Sequence, residues 1–340
     1  MKSNKEVTIY DIAATLGISA STVSRALSDH PSIKKETKKK IRAQAKQMGY
    51  QQNAFASNLR RKRSNTIGVI VPRLDSYFMA SVIAGIETEA NKEGYNLIIS
   101  QSQESLKKEE ANISTMYNSR VDGLLVSVSD ETENLNHLNL FLDKNIPVVL
   151  FDRVNTHPKC TCIVIDNYKA AYEATQHLIE QGCKKILYFT RSLNTNVYQD
   201  RHNGYKQALI DNKLIYNAEF VSAGKLDNSR LEIVIDKIVK KEITPDAIFA
   251  ANDHSAVVFI CKLKEAGIRV PHDIAVVGFN NNPISKVVDP NLTTVHYPGE
   301  EMGSMAASTL IEQITKKKNT SLDSLVLYHE LIIRNSSLKK

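Results

Sequence analysis

No glycine in this 340-residue chain stands two positions from another, although there are 13 of them. The G-x-G turn that lets a backbone approach a dinucleotide pyrophosphate is therefore missing. So are the G-x-x-x-x-G-K phosphate loop, the H-E-x-x-H zinc pattern and the G-x-S-x-G nucleophile elbow. Four cysteines (Cys160, Cys162, Cys183, Cys261) are too few for a disulfide framework in so long a chain. Cys160 and Cys162 form a C-x-C without a second pair, and the nine histidines are scattered, so no metal site is expected. No apolar run approaches the roughly 20 residues that a membrane helix needs, and no membrane partner is expected. The chain does not open on a charged region followed by an apolar stretch. A cytoplasmic protein with reduced thiols is the expectation. Neither catalysis nor a resident cofactor finds support, beyond the fact that folds of this kind often host enzymes.

What is present is unevenly distributed. The chain has 44 Lys/Arg and 37 Asp/Glu; residues 1–63 hold 14 and 4 of these, which leaves 30 and 33 for the rest. The basic excess belongs to the first 63 residues, and it suggests a polyanion partner for that segment alone. A solvated basic tail is the alternative, but this segment also has apolar periodicity. Thr8 and Asp11 form a capping-box pattern, and Ile12, Ala13 and Leu16 fall on one helical face. Gly17 can take the positive φ that ends a helix. Ser19 can cap a second helix, with Val23 and Leu27 on its apolar face. A third helix is expected over roughly 34–48, with Ile41, Ala45 and Met48 closing a small core. Two helices joined by so short a turn make a helix-turn-helix, whose second helix lies in the major groove of DNA.

The motif V-T-x-x-D-x-A-x-x-x-G-x-S-x-x-T-V-S-R spans Val7 to Arg25. With it, the chain resembles the lactose repressor/galactose repressor family of bacterial transcription regulators, along essentially its whole length. The resemblance implies that Ala20, Ser21 and Arg25 read bases. Arg25 can make a two-pronged contact to guanine and the Ala20 methyl can touch a thymine methyl. Thr8, Tyr10, Ser19, Thr22 and Ser24 would donate to phosphates, fixing register; Ser19 and Thr22 also suit simple capping. Residues 1–52 would form the DNA-binding domain and 53–64 a hinge. In the hinge, Asn53 can cap a short helix that includes Ala56 and Leu59. The run Arg60, Arg61, Lys62, Arg63 weakens such a helix unless phosphates neutralise it. The resemblance places Leu59 as a wedge between base pairs in the minor groove. Gln52 stands where the family usually has proline, and Lys34 where it usually has a capping serine.

Beyond residue 65, short apolar runs alternate with helical stretches, the signature of parallel βαβ units. A first series is TIGVIV (66–71), NLIIS (96–100), GLLVS (123–127) and PVVL (147–150). A second is CIVI (162–165), KILYFT (185–190), AIFA (247–250) and IAVVGF (274–279). Two Rossmann-like subdomains follow. The resemblance implies a periplasmic-binding-protein-like core, an N-terminal subdomain from 65–163 and 293–325, and a C-terminal one from 164–292 and 326–340. Ligands bind beyond the carboxyl ends of parallel strands. The residues at strand ends are Asp75, Ser76 and Phe78, then Ser127 and Asp152, then Asn252, Asp253 and Asn280, with Arg201 near a helix start. Carboxylates, amides and a guanidinium beside an aromatic face suit a polyhydroxyl ligand. The family implication covers Asp152, Arg201, Asn252 and Asn280. Asp152 and Asp253 as turn caps, Arg201 in a plain ion pair and Phe78 as core remain alternatives. Asn280 replaces the aspartate usual in sugar-responsive members, and Arg73 with Arg201 would fit an acidic sugar or a phosphate.

The expectation is a transcription regulator, in the family's manner a repressor. It would be a homodimer, with a tetramer as the alternative, on a palindromic double-stranded operator. A small-molecule effector, a sugar or sugar derivative, would control its affinity. A solute-binding transport component without a DNA-binding role is the competing reading, which the basic head opposes.

Overall fold

The computed structural model describes residues 7–50, 63–316 and 324–339. The chain divides into two compact units, residues 1–64 and 65–340. The hinge residues Asn53, Ala56 and Leu59, with Gln52, lie outside the described residues.

The first unit packs three helices, α1 (Ile9–Leu16), α2 (Ala20–Leu27) and α3 (Lys35–Gln47). Thr8 and Asp11 close the capping box: the Asp11 N–H donates to Thr8 Oγ1 and the Asp11 carboxylate accepts from the Thr8 N–H at 2.7 Å. Gly17 takes φ 64° and turns the chain, and Ser19 caps α2 by accepting from the Thr22 N–H. At Lys34 no side chain caps α3, a loss of about 1 kcal/mol against a serine. Ile12, Ala13, Val23, Ala26, Ile41 and Ala45 are buried together, and Leu16, Leu27 and Met48 pack around them.

The second unit holds two six-stranded sheets. The strands in chain order are β1 (Thr66–Val71), β2 (Asn96–Gln101), β3 (Gly123–Val126), β4 (Val148–Phe151), β5 (Thr161–Ile165), β6 (Ile186–Thr190), β7 (Val221–Ala223), β8 (Ala247–Ala250), β9 (Ala275–Phe279), β10 (Thr293–His296), β11 (Ser324–Leu327) and β12 (Glu330–Ile332). The sheet orders are β11-β5-β4-β3-β1-β2 and β12-β10-β9-β8-β6-β7. The two orders match position for position, so each strand end in one sheet has a counterpart in the other. All pairings are parallel except β10 with β12. Strands buried on both faces need continuous apolar runs, and β1, β4, β6 and β9 supply them.

Two expected boundaries shift. CIVI (162–165) was expected to begin the second series; β5 instead pairs with β4 and β11 and completes the first sheet. Residues 293–296, expected with the N-terminal subdomain, pair as β10 with β9 in the second sheet. The strand ladders decide this: Thr293, Thr294 and Val295 pair with Val277, Gly278 and Phe279. The chain returns to the first subdomain only with the helix that begins at Gly299. The last crossing comes after Leu327, where β11 ends in the first sheet and β12 joins the second.

Helices cover both sheets. These are α4 (Tyr77–Lys92), α5 (Leu106–Asn118), the short α6 (Asn139–Leu142), α7 (Asn167–Glu180), α8 (Asn196–Asp211), α9 (Asn228–Val239), α10 (Asp253–Glu265), the short α11 (Ile284–Val287) and α12 (Gly299–Lys316). In the first subdomain α12 lies against α4, and a Cβ on Gly303 would run into the Val82 carbonyl while one on Gly85 would meet that of Glu300. Gly204 plays the same part between α8 and α7, against the Tyr168 carbonyl. Backbones this close do not yield as side chains do. Gly303→Ala should lower the stability of the second unit by about 1–3 kcal/mol, read from the urea unfolding midpoint of the full chain; an unchanged midpoint would contradict the close approach.

Candidate DNA-reading helix and effector cleft

The first turn of α2 carries Ala20 and Ser21, and Arg25 follows one turn on. Arg25 is exposed and has no ion pair among the described residues, so its fork is available to an outside acceptor. Ser21 is exposed and Ala20 half-buried against the small core. Ser19 Oγ lies 2.9 Å from both Ser21 Oγ and Thr22 Oγ1, so capping and an outward donor coexist at this turn. Thr8 and Tyr10 are exposed, Tyr10 at 71%, and Ser24 is half-buried. Of the basic side chains on α3, Lys38 and Arg42 share Asp29, at 3.0 and 2.9 Å.

In the second unit the carboxyl ends of the two sheets border a cavity of about 610 Å³. Matching strand ends bring matching residues. Asp152 follows β4 in a left-handed conformation (φ 58°), its N–H held by the Ile163 carbonyl of β5. Asn280 follows β9, the β4 counterpart, at φ 106°, its N–H held by the Val295 carbonyl of β10. Both kinked residues line the cavity, as do Asp75, Ser76, Phe78, Arg201 and Asn252. Phe78 is nearly buried and stacks on Tyr297 at 4.2 Å, so it serves core and wall together. Ser76 and Asn252 also cap α4 and α10.

Arg201 is 3% exposed and makes no ion pair among the described residues. Its Nε donates to Asn167 Oδ1 at 2.8 Å and its Nη1 to the Ala251 carbonyl at 3.2 Å. The guanidinium lies 3.5 Å from the Phe279 ring centroid. Asp152 accepts from the Tyr297 hydroxyl at 2.8 Å and from Ser127 Oγ at 3.4 Å. Burial pushes its carboxyl above the usual range, against the pull of Arg153, Arg201 and those two donors. Asp75 is spent on Arg73, whose hydrogen bonds hold its carboxyl below the usual range.

Two expected cleft residues are elsewhere. Ser127 is fully buried and does not line the cavity; it props Asp152 from behind. Asp253 is also fully buried, because α10 turns it inward beneath the Asn280–Asn282 loop. There it accepts from Thr294 Oγ1 and from the Asn282 N–H, both at 2.6 Å. Sequence reasoning missed Arg153, Arg191, Tyr198, Asn282 and Tyr297, all of which line the cavity. Arg153 and Arg191 sit directly at strand ends, where the rule that found Asp152 would have found them. Tyr297 reaches Asp152 across 145 positions, with no local signal.

A helix-turn-helix with an exposed arginine on its second helix, followed by a two-subdomain cleft, is the architecture of a ligand-responsive DNA-binding protein. Residues 8–53 match the profile of the bacterial regulatory proteins of the lacI family, and residues 175–337 that of the periplasmic binding protein-like domain. The transcriptional repressor PurR of Aliivibrio fischeri (strain ATCC 700601 / ES114) is 32% identical over 333 residues, 97% of this chain and 98% of that protein. The solved complex of the transcriptional regulator CelR with cellobiose is 25% identical, with a TM-score of 0.73 over 97% of this chain and all of its own. The lac repressor dimer bound to operator and the anti-inducer ONPF, 23% identical, shares the fold at a TM-score of 0.88 over 98% of this chain and all of its own. This chain belongs to the lacI family of bacterial regulatory proteins. It is a DNA-binding transcription regulator with an effector-binding core.

Burial pushes Asp253 up to about 7, opposed by Thr294, Asn282 and Arg334. A carboxyl raised in the folded state favours folding most below its unfolded value of 3.8, and that contribution is lost as pH rises towards 7. In Asp253→Asn the amide oxygen can still accept from Asn282 and the NH₂ can donate to Thr294. Asp253→Asn should therefore gain stability over wild type between pH 5 and pH 7.5, by an amount of the order of a few kcal/mol. Urea unfolding at the two pH values measures it; a difference that does not change with pH would show that Asp253 titrates normally.

Proposed function

We propose that the chain acts in the cytoplasm as a homodimeric repressor on a palindromic operator, released or tightened by a sugar or sugar derivative bound in the cleft. Ala20, Ser21 and Arg25 read base edges, and Thr8, Tyr10, Ser19, Thr22 and Ser24 hold phosphates. Asn53, Ala56 and Leu59, read from the sequence alone, enter the central minor groove. Arg25 carries this reading: a fork-shaped cation, exposed and unpaired on a helix-turn-helix, is the side chain that recognises guanine in the major groove. In the cleft, Asp152, Arg201, Asn252 and Asn280 face the ligand, with Phe78 and Tyr297 offering an apolar wall. The CelR–cellobiose complex, a protein of the same fold with a carbohydrate bound, supports that ligand class. No catalytic role or resident cofactor is assigned, since the sequence has none of the phosphate-binding glycine patterns.

Gel retardation with genomic fragments tests the reading. The full chain should retard a specific fragment, with an apparent constant that falls steeply as salt rises. Arg25→Ala should weaken that complex by about 1–3 kcal/mol and relax the choice of base at one position in each half-site. Retardation of all fragments alike, or an equal loss on every sequence in Arg25→Ala, would refute it.

A further inference from the structure

The two subdomains are joined by three connections, after β5, after β10 and between β11 and β12. In the sheet orders these strands hold the first two places, β11 and β5 in one sheet and β12 and β10 in the other. A separate set of contacts spans the cleft on its far side. Arg191 and Ser192 follow β6, fifth in the second sheet. Asp130 follows β3 and Glu104 follows β2, fourth and last in the first. Arg191 Nη2 lies 3.2 Å from Glu104 Oε1, and its Nε lies 3.6 Å from Asp130 Oδ2, which also accepts from the Ser192 hydroxyl. Beside them Asn196 Oδ1, at the start of α8, accepts from the Val154 N–H of the first subdomain at 3.0 Å.

This cluster is charged, shielded and imperfectly paired. The side chains of Arg191, Glu104 and Asp130 are 13%, 12% and 17% exposed. Glu104 has a cation of its own subdomain, Arg153 at 2.7 Å. Asp130 has none: among the described residues, both partners of its carboxylate come from the second subdomain. Glu104 Oε1, Asp130 Oδ1 and Arg191 Nε are buried without a hydrogen bond. Gln103 and Glu104 take φ 52° and 64°, two successive non-glycine residues in the left-handed region, which costs backbone energy to hold. Ion pairing draws the two sides together. Polar atoms stripped of water and not repaid in hydrogen bonds push them apart.

We propose that Arg191 and Ser192 of the second subdomain, with Glu104 and Asp130 of the first, form a latch across the mouth of the cleft. The three connections are the pivot, and the latch sits where pivoting separates the subdomains most. The bridge is made of the chain's own groups, so it sets how readily the cleft opens before any effector enters. Asp130 is its central member, because opening takes away both of its partners. The latch stands on these contacts alone; its effect on operator binding rests on the reading of the cleft as the effector site.

Hydrogen exchange of the full-length chain, with operator gel retardation, tests it. The Val154 N–H reports opening, since its acceptor belongs to the other subdomain. With no small molecule added, Asp130→Asn and Arg191→Gln should each speed exchange at Val154 by about tenfold. Exchange within β4 should stay as in wild type, which separates opening from unfolding. The double variant should exchange no more than about twofold faster than Arg191→Gln alone, because both changes act on one contact. Operator affinity of Asp130→Asn should shift by about threefold or more. Unchanged exchange at Val154 in both single variants, or rates that multiply in the double variant, overturns the latch. Faster exchange at an unchanged operator affinity upholds the latch and overturns the link between the cleft and the operator.

Discussion

The buried guanidinium of Arg201 is the constraint around which the cleft is built. Keeping a permanent charge 3% exposed requires fixed partners, and three elements supply them. The start of α7 provides Asn167, the end of β8 provides the Ala251 carbonyl, and the end of β9 provides the Phe279 ring. These elements are spread over more than a hundred residues of sequence, from Asn167 to Phe279, so the guanidinium holds its plane only when the second sheet is complete. The matched strand order then makes the first sheet its counterpart. Asp152 stands where β4 ends as Asn280 stands where β9 ends, each forced into a left-handed kink and each tethered to the next strand. Recognition groups from both subdomains face one cavity because the same topology is used twice.

Much of this was legible in the sequence. Apolar runs of four to six residues marked the parallel strands, and the strand-end rule found six of the residues that line the cavity, with Arg201 added from a helix start. The failures have physical causes. β5 reads like any other buried strand, and nothing local says which sheet it joins; the pairing with β4 and β11 decides that. Ser127 and Asp253 are polar residues after strands, as Asp152 is, but helical rotation and backbone kinks turn them inward. Tyr297 is the plainest case. Its hydroxyl meets Asp152 only because the chain crosses between subdomains after β10.

The head was more readable because its determinants are short-range. A capping box, a left-handed glycine and a second cap span Thr8 to Ser19, and each acts within three or four residues. The local signals also predict the imperfection at Lys34, where no side chain caps α3. The charge asymmetry along the chain has the same logic: the excess of cations lies in the first 63 residues, with 14 Lys/Arg against 4 Asp/Glu, while the rest of the chain holds nearly equal numbers of the two.

Two carboxylates in the second unit are held against their ionisation preference, Asp152 in the cavity wall and Asp253 beneath the Asn280–Asn282 loop. Neutral residues of similar shape would be easier to bury. The surroundings are nonetheless shaped to keep them. A side chain at Gly278 would run into the Asp253 carboxylate, and both Asp152 oxygens have dedicated hydroxyl donors. The backbone N–H of Asn282 can only donate, so one Asp253 oxygen accepts from it whether or not the carboxyl carries its proton, and the other oxygen is left for the Thr294 hydroxyl. Asp253 thereby fixes the backbone that carries Asn280 at the cavity wall. Perturbed titrating groups gather at functional sites, and both of these stand in the cavity wall or directly behind it, where they fix the backbone and the hydroxyls around them.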